Sequence, residues 1–356
     1  MTQKLVFIHC GASKTGTSAQ QAWLKRNSEQ LQTAGIAYLG DILRGGSACF
    51  DFANSLVRSP LARSIPDHFI IHRHKGFFKQ HRDEDVMLSS ETFANMRALD
   101  GMKHVARFFN RQKRPVRTCL FVRNQVDQLS SHYAQRAQSL RVTDNFTASL
   151  DRNRLLQVDW VRHVQIHLSV GFDLKLGVFK GRNGPPVAET LMTAFGVKHR
   201  LPDDLVFDME EANPSVGEVT VFASMVFAKS LIDAGIALGK RHQDEMNRYF
   251  QEGARLIPEA KFIGPSQSDR ETIRTRFAEP NRQMKPFLSD EDYEELITER
   301  LPADRPASPS RWAELSIQQR EMFDTVVDHV QRRIRETPRH AVLVPEGLLT
   351  QKLRPN

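Results

Sequence analysis

The stretch Leu5-Val6-Phe7-Ile8-His9-Cys10-Gly11-Ala12-Ser13-Lys14-Thr15-Gly16-Thr17-Ser18 decides how the rest of the chain is read. Leu5 to Ile8 is a short apolar run of strand character, Gly11 to Gly16 breaks it, and Thr17 opens a long helical pattern that buries Trp23, Leu24 and Leu31. A strand that turns tightly into a helix gathers loop N–H groups and the positive end of the helix around one small volume, which suits a phosphate or a sulfate. Gly11 and Gly16 allow the turn and a close approach. Lys14 adds a mobile charge, and Thr15, Thr17 and Ser18 add hydroxyl donors.

Outward from this loop the strand–helix alternation repeats. Val86-Met87-Leu88 reads as a strand ending in Ser89-Ser90-Glu91, and residues 100 to 111 as a helix. Thr118 to Val122 is apolar throughout, as a strand covered on both faces should be; it meets Arg123-Asn124 and then a helix to about Gln138. A helix from Leu155 to Ser169 precedes a strand from Leu174 to Phe179. This order predicts an α/β fold, a P-loop-like parallel sheet flanked by helices with a helical C-terminal extension. The expected division is a core over 1–215 and a mainly helical extension over 216–356 packed on it. An inserted region, 40–80, carries Gly45-Gly46 and His68, His72 and His74, with His81 just after it, and reads as loops and short helices over a site. The last long helix is expected over 311–336, beyond the Pro/Ser-rich interval 302–309.

Composition narrows the function. The 356 residues carry 50 Lys+Arg against 42 Asp+Glu, a formal charge of +8. The basic residues are spread along the sequence rather than concentrated in a tail, which argues against a nucleic-acid partner and for solvated helix faces, while a basic pocket for a small polyanion fits the same balance. Three scattered cysteines, Cys10, Cys49 and Cys119, match neither a disulfide framework nor a zinc motif and favour a reducing compartment. The longest apolar run, Val219 to Ala228, is far too short for a membrane span. A cytoplasmic protein with no integral membrane segment is expected, and a homodimer through the last long helix is possible.

The loop nearly matches the nucleotide-triphosphate P-loop, but Thr17 rather than Lys follows Gly16. The run Lys14-Thr15-Gly16-Thr17-Ser18 instead resembles the 5′-phosphosulfate loop of the sulfotransferases that use 3′-phosphoadenosine 5′-phosphosulfate (PAPS), with Ser13 where a Pro is usual. A second motif of that family binds the 3′-phosphate of the donor. It is matched by Arg123, Asn124, Ser131 and Tyr133, with Gln125 in place of a Pro and Gln128 in place of a frequent second Arg. Looser similarity to the bacterial, carbohydrate-type branch covers Tyr38, the strand ending in Glu91, Gly171-Phe172-Asp173, Ala212-Asn213-Pro214-Ser215 and Arg276-Phe277 with Asn281.

The resemblance implies sulfuryl transfer from PAPS to a hydroxyl or amine, leaving 3′,5′-ADP and requiring no metal. Lys14, Thr15, Gly16, Thr17 and Ser18 would hold the phosphosulfate, Arg123 and Ser131 the 3′-phosphate, and Lys14 would stabilise the leaving oxygen. The acceptor must lose a proton. Glu91 is the preferred base, since it follows a strand of the same sheet edge; His72 and His74 are the alternatives. A carbohydrate or glycolipid acceptor is expected, and the basic run His68, His72, Arg73, His74 and Lys75 suits an acidic or sulfated sugar. A P-loop kinase or nucleotide hydrolase and a non-catalytic nucleotide-binding module are the competing readings.

Overall fold

The computed structural model describes residues 3–12, 14–40, 49–57, 67–94, 101–181, 184–208 and 217–350. Gly45-Gly46, Ser13 and the segment Ala212 to Ser215 lie outside the described residues, as do the side chains of His68, His72 and Arg73.

Five parallel strands form one sheet: β1 (Val6–Gly11), β2 (Ile36–Leu39), β3 (Asp85–Ser89), β4 (Val116–Val122) and β5 (Asp173–Val178), in the order β2-β3-β1-β4-β5. The α/β reading with a parallel sheet therefore holds. β1 is hydrogen-bonded along both edges, with Ile8 level with Leu88 on one side and Thr118 on the other. All six of its residues are buried. Phe7 and Phe121 join Trp23, Leu24, Leu191 and Phe195 in one apolar cluster. A separate aromatic group, Phe52, Phe78, Phe108 and Phe109, surrounds the helices Phe50–Val57, Asp67–Gln80 and Met102–Arg111.

Element boundaries depart from the sequence reading in instructive places. β2 forms from the run Ile36-Ala37-Tyr38-Leu39, which the sequence reading did not mark as a strand, because pairing to β3 satisfies its backbone. The expected helix Leu155–Ser169 is two helices, Arg152–Gln157 and Trp160–Ser169; Asp159 starts the second by accepting from the Arg162 N–H at 3.2 Å. The last long helix runs Ile317–Arg335, since Ser316 and Gln319 form a reciprocal cap at its start.

The chain divides into two compact units, each discontinuous in sequence. The first comprises Met1–Asn124, Leu155–Ala212 and Arg276–Glu299, and holds the sheet. The second comprises Gln125–Arg154, Asn213–Thr275 and Arg300–Asn356. It is built on the helices Glu218–Asp233, Lys240–Ala254 and Ile317–Arg335 around Phe222, Phe227, Phe250 and Phe323. This division differs from the single boundary expected at 215. Gln125–Arg154 belongs with the helical unit, where Leu140 completes its apolar cluster. No helix among the described residues is long and apolar enough to cross a membrane.

Three histidines of the first unit are wholly buried: His9 in β1, and His163 and His167 on the helix Trp160–Ser169. Burial lowers their pKa values to about 3, about 4 and about 3. Below pH 6.5 the unfolded chain binds protons that the native state refuses, so stability is full above that pH and falls as pH drops toward these values. Chemical denaturation at pH 7 and pH 5 should show a lower midpoint at pH 5, with a slope of up to roughly 1.4 kcal/mol per pH unit for each histidine. An unchanged midpoint would contradict the buried neutral state.

Candidate functional site

The loop after β1 is folded by its own hydroxyls. The side chains of Thr15 and Thr17 both donate to the Ala12 carbonyl, at 2.7 and 3.2 Å, and the Thr15 N–H reaches the same oxygen at 3.3 Å. Two residues are left-handed, Lys14 at φ 72° and Gly16 at φ 79°. For Gly16 this is free of strain, and a Cβ there would lie 2.8 Å from Val187 Cγ2. For Lys14 it costs on the order of 1–2 kcal/mol, a local strain of the kind that accumulates where a loop is shaped for a ligand.

The helix Thr17–Arg26 starts with Gly16 as its cap, without a side-chain capping bond and without an acidic residue in its first turn. Its first intrahelical bond runs from the Gln20 N–H to the Gly16 carbonyl at 3.1 Å. The N–H groups of the turn before it are those a helix leaves for an outside acceptor. Ser18 is exposed at this end. The donor set fits a tetrahedral oxyanion.

Sheet topology brings two further groups to this loop. From β1 the chain leaves toward the β2 edge, and from β4 toward the β5 edge, so the loops after these adjacent strands diverge and leave a crevice at their carboxyl ends. Arg123 follows β4; its Nη1 donates to the Lys14 carbonyl at 3.2 Å, its guanidinium lies 5.4 Å from the Phe179 ring centre, and its carbonyl accepts from the Trp160 indole at 2.9 Å. Glu91 follows β3 and interacts with Lys14. Burial pushes the Glu91 carboxyl above its usual value, against the pull of Lys14 and a hydrogen bond from Thr17. Burial likewise lowers the Lys14 ammonium, with Glu91 opposing and Arg123 assisting. Lys14, Glu91 and Arg123, each at the end of a different strand, thus share one electrostatic environment.

The remaining candidates fall elsewhere or play other parts. The Thr15 hydroxyl, expected as a donor to the ligand, is buried and fastens the loop to Ala12. Ser131 and Tyr133 lie on the helix Gln125–Gln138 of the second unit. Tyr133 donates there to the Asp144 carbonyl at 2.6 Å and packs its ring on Phe262. His74, an alternative base, is buried against Phe52 with ring centres 4.8 Å apart. The sequence had shown no cluster of metal-ligand type. Among the described residues the fold assembles one, His242, Glu245 and His340, in the second unit, from residues far apart in the chain. Glu245 there takes Arg339 at 2.5 Å and His340 at 2.6 Å.

His9 is the residue the sequence reading passed over. It is buried in β1, its Nδ1 bonds the Ser89 hydroxyl at 2.8 Å, and its Nε2 has no partner among the described residues. A Cβ on Gly11 would meet Thr17 Oγ1 at 2.6 Å and this ring at 2.7 Å, so the imidazole edge abuts the loop from beneath. Gln20, on the first turns of the following helix, is also buried, with neither end of its amide partnered among the described residues. Both stood out in principle as polar residues in buried positions.

No protein-family model matches the chain, and no curated protein matches it. Among solved structures it is similar to a sulfotransferase from Alicyclobacillus acidocaldarius, at 18% identity and a TM-score of 0.37, over 65% of this chain and 97% of that one.

Gly11→Ala should destabilise the protein by about 1–3 kcal/mol, because the added methyl overpacks the contact between the loop and His9. The same change in a His9→Ala background should cost less, since one of the two obstructing groups is gone. Equal costs in both backgrounds, measured by denaturant unfolding, would show that His9 does not brace the loop.

Proposed function

We propose that the protein is a sulfotransferase that moves the sulfuryl group of PAPS to a hydroxyl or amine of an acceptor, a carbohydrate or glycolipid by its sequence resemblance. The observation that carries this reading is the meeting of Lys14, Glu91 and Arg123 at the carboxyl ends of β1, β3 and β4, beside an uncapped helix start. The absence of a lysine after Gly16 counts against a triphosphate-using kinase or hydrolase.

The bound donor supplies an activated sulfuryl group whose S–O bond to phosphate breaks as the acceptor oxygen or nitrogen bonds to sulfur. The protein's work is to hold and charge-balance that exchange. The amides of Thr17 and Ser18 and the Ser18 hydroxyl cradle the phosphosulfate. Lys14 offsets charge developing on the leaving phosphate oxygen, which departs as 3′,5′-ADP. Arg123, with its planar fork, takes the 3′-phosphate. Glu91 accepts the acceptor's proton. A polyanion that engages Lys14 withdraws the cation that holds the Glu91 carboxylate ionised, so donor binding itself raises the proton affinity of the base.

Lys14→Ala and Arg123→Ala should each weaken 3′,5′-ADP binding by about 10- to 150-fold, the worth of a charged hydrogen bond of about 1.5–3 kcal/mol. Calorimetry checks this; unchanged binding in both variants overturns the site, and stabilisation by ATP–Mg²⁺ in place of 3′,5′-ADP selects the kinase reading.

Glu91→Gln should bind 3′,5′-ADP at least as tightly as the parent while losing transfer of labelled sulfate from PAPS. In the parent, the rate should rise with pH through an apparent pKa above the ordinary Glu value of 4.5, since burial raises this carboxyl. Full activity of Glu91→Gln would remove it from the mechanism.

A further inference from the structure

The amino-terminal edge of the same sheet, away from the phosphate loop, carries a cavity of about 900 Å³. Lys4 precedes β1, Arg82 precedes β3, and Lys113 and Arg114 precede β4, and all four line it. The loop residues Lys14, Glu91 and Arg123 follow the same three strands at their far ends. Strands of five to seven residues separate the two places by roughly 20 Å. Two helices complete the wall. Lys75 and Lys79 come from Asp67–Gln80, and Arg107 and Arg111 from Met102–Arg111, each pair four residues apart and so on one helix face. Phe78 and Phe108 add apolar surface between them.

Eight Lys and Arg side chains therefore line this cavity, and among the described residues no Asp or Glu does. Like charges at this helical spacing repel. Among the described residues none of Lys4, Lys75, Lys79, Arg107, Arg111 and Lys113 forms a salt bridge; Arg82 alone does, with Asp83. Asp83, Glu84 and Asp85 lie near Arg114. Each has a partner of its own: Asp83 pairs with Arg82, Glu84 with the His81 ring and Asp85 with Arg200. The helix ends here contribute about half a negative charge each, far short of balancing the wall.

Seven of the eight cations are exposed, and Arg114 is the buried one among them. Arg114 is 6% exposed; its Nη2 is held by the carbonyls of His81, at 2.6 Å, and Glu84, at 3.2 Å, while Nη1 is buried without a partner among the described residues. Lys113 sits at φ 54° where the helix Met102–Arg111 ends in a Schellman turn, Arg114 N–H to Phe109 carbonyl at 3.1 Å and Lys113 N–H to Asn110 carbonyl at 3.0 Å. A glycine is usual there. The chain accepts strain to put a cation at the rim.

We infer that this cavity is a second anion site, for a ring-based ligand bearing several sulfate or phosphate groups, separate from the loop after β1. The volume is that of a small-molecule pocket, and the aromatic surface between the cations suits the body of such a ligand. The inference does not depend on the proposed reaction.

A short heparin fragment and inositol hexakisphosphate supply the same chemistry from a glycan and from a phosphorylated small molecule. At physiological ionic strength one or both should bind the full-length protein, and the tighter of the two identifies the source. The variant Arg107→Gln/Arg111→Gln should weaken binding roughly tenfold or more. A charge-matched control, Lys229→Gln/Arg282→Gln, should change it less than about twofold, the scale of a purely long-range charge effect. Affinity for 3′,5′-ADP should be the same in the parent and the pocket variant, so this site and the loop fail or stand separately. Equal losses in the two double variants, no binding of either probe, or tighter binding of a DNA oligonucleotide would overturn the proposal.

Discussion

A parallel strand buried on both faces and paired along both edges can keep polar chemistry only at its two ends. β1 is under this constraint, and the first unit is organised by it. At its carboxyl end the chain must turn at once, and the turn is closed by Thr15 and Thr17 on a single carbonyl, that of Ala12. At its amino end Lys4 meets the residues that lead into β3 and β4. Both ends gather charge, and they do so differently. The carboxyl end sets a carboxylate among its cations; at the amino end Asp83, Glu84 and Asp85 are paired beside a cavity whose described lining is basic.

His9 is the exception that sits inside the strand. Its imidazole is kept neutral by burial and tied to Ser89, one residue before the turn that carries Glu91. It therefore spans β1 and β3 beneath the loop, where its ring edge and the Thr17 hydroxyl leave no room for a side chain at Gly11. The electrostatics above it form a coupled set. Burial pushes Lys14 and Glu91 each toward its uncharged form and their mutual attraction resists this, so whatever engages one changes the other.

Much of this was legible in the sequence. The apolar runs Val6–Ile8, Val86–Leu88 and Thr118–Val122 gave their strands away because a strand covered on both faces must be apolar at every position. Arg123 was visible because it directly follows such a run, and Lys14 because it sits between Gly11 and Gly16 in the loop after one. The edge strand Ile36–Leu39 was not, since among the described residues it is paired along one side only and takes its identity from that pairing to β3. Nor was the break at Val158-Asp159, which a cap decides. His74 read as a loop histidine, whereas it lies in an aromatic cluster whose other members, apart from Phe78, come from distant segments.

The net charge of +8 shows the same division most plainly. Sequence alone determined that the protein carries a surplus of cations, a glycine-bounded loop with Lys14 and three hydroxyl residues, and alternating strands and helices, because those are properties of composition and local pattern. Only the tertiary structure decided which charges meet. Parallel pairing aligns the starts of β1, β3 and β4 at one edge and their ends at the other, so residues scattered over more than a hundred positions become two separate charged clusters. The distance between charges in the fold, which sequence separation does not encode, is what sets their interaction.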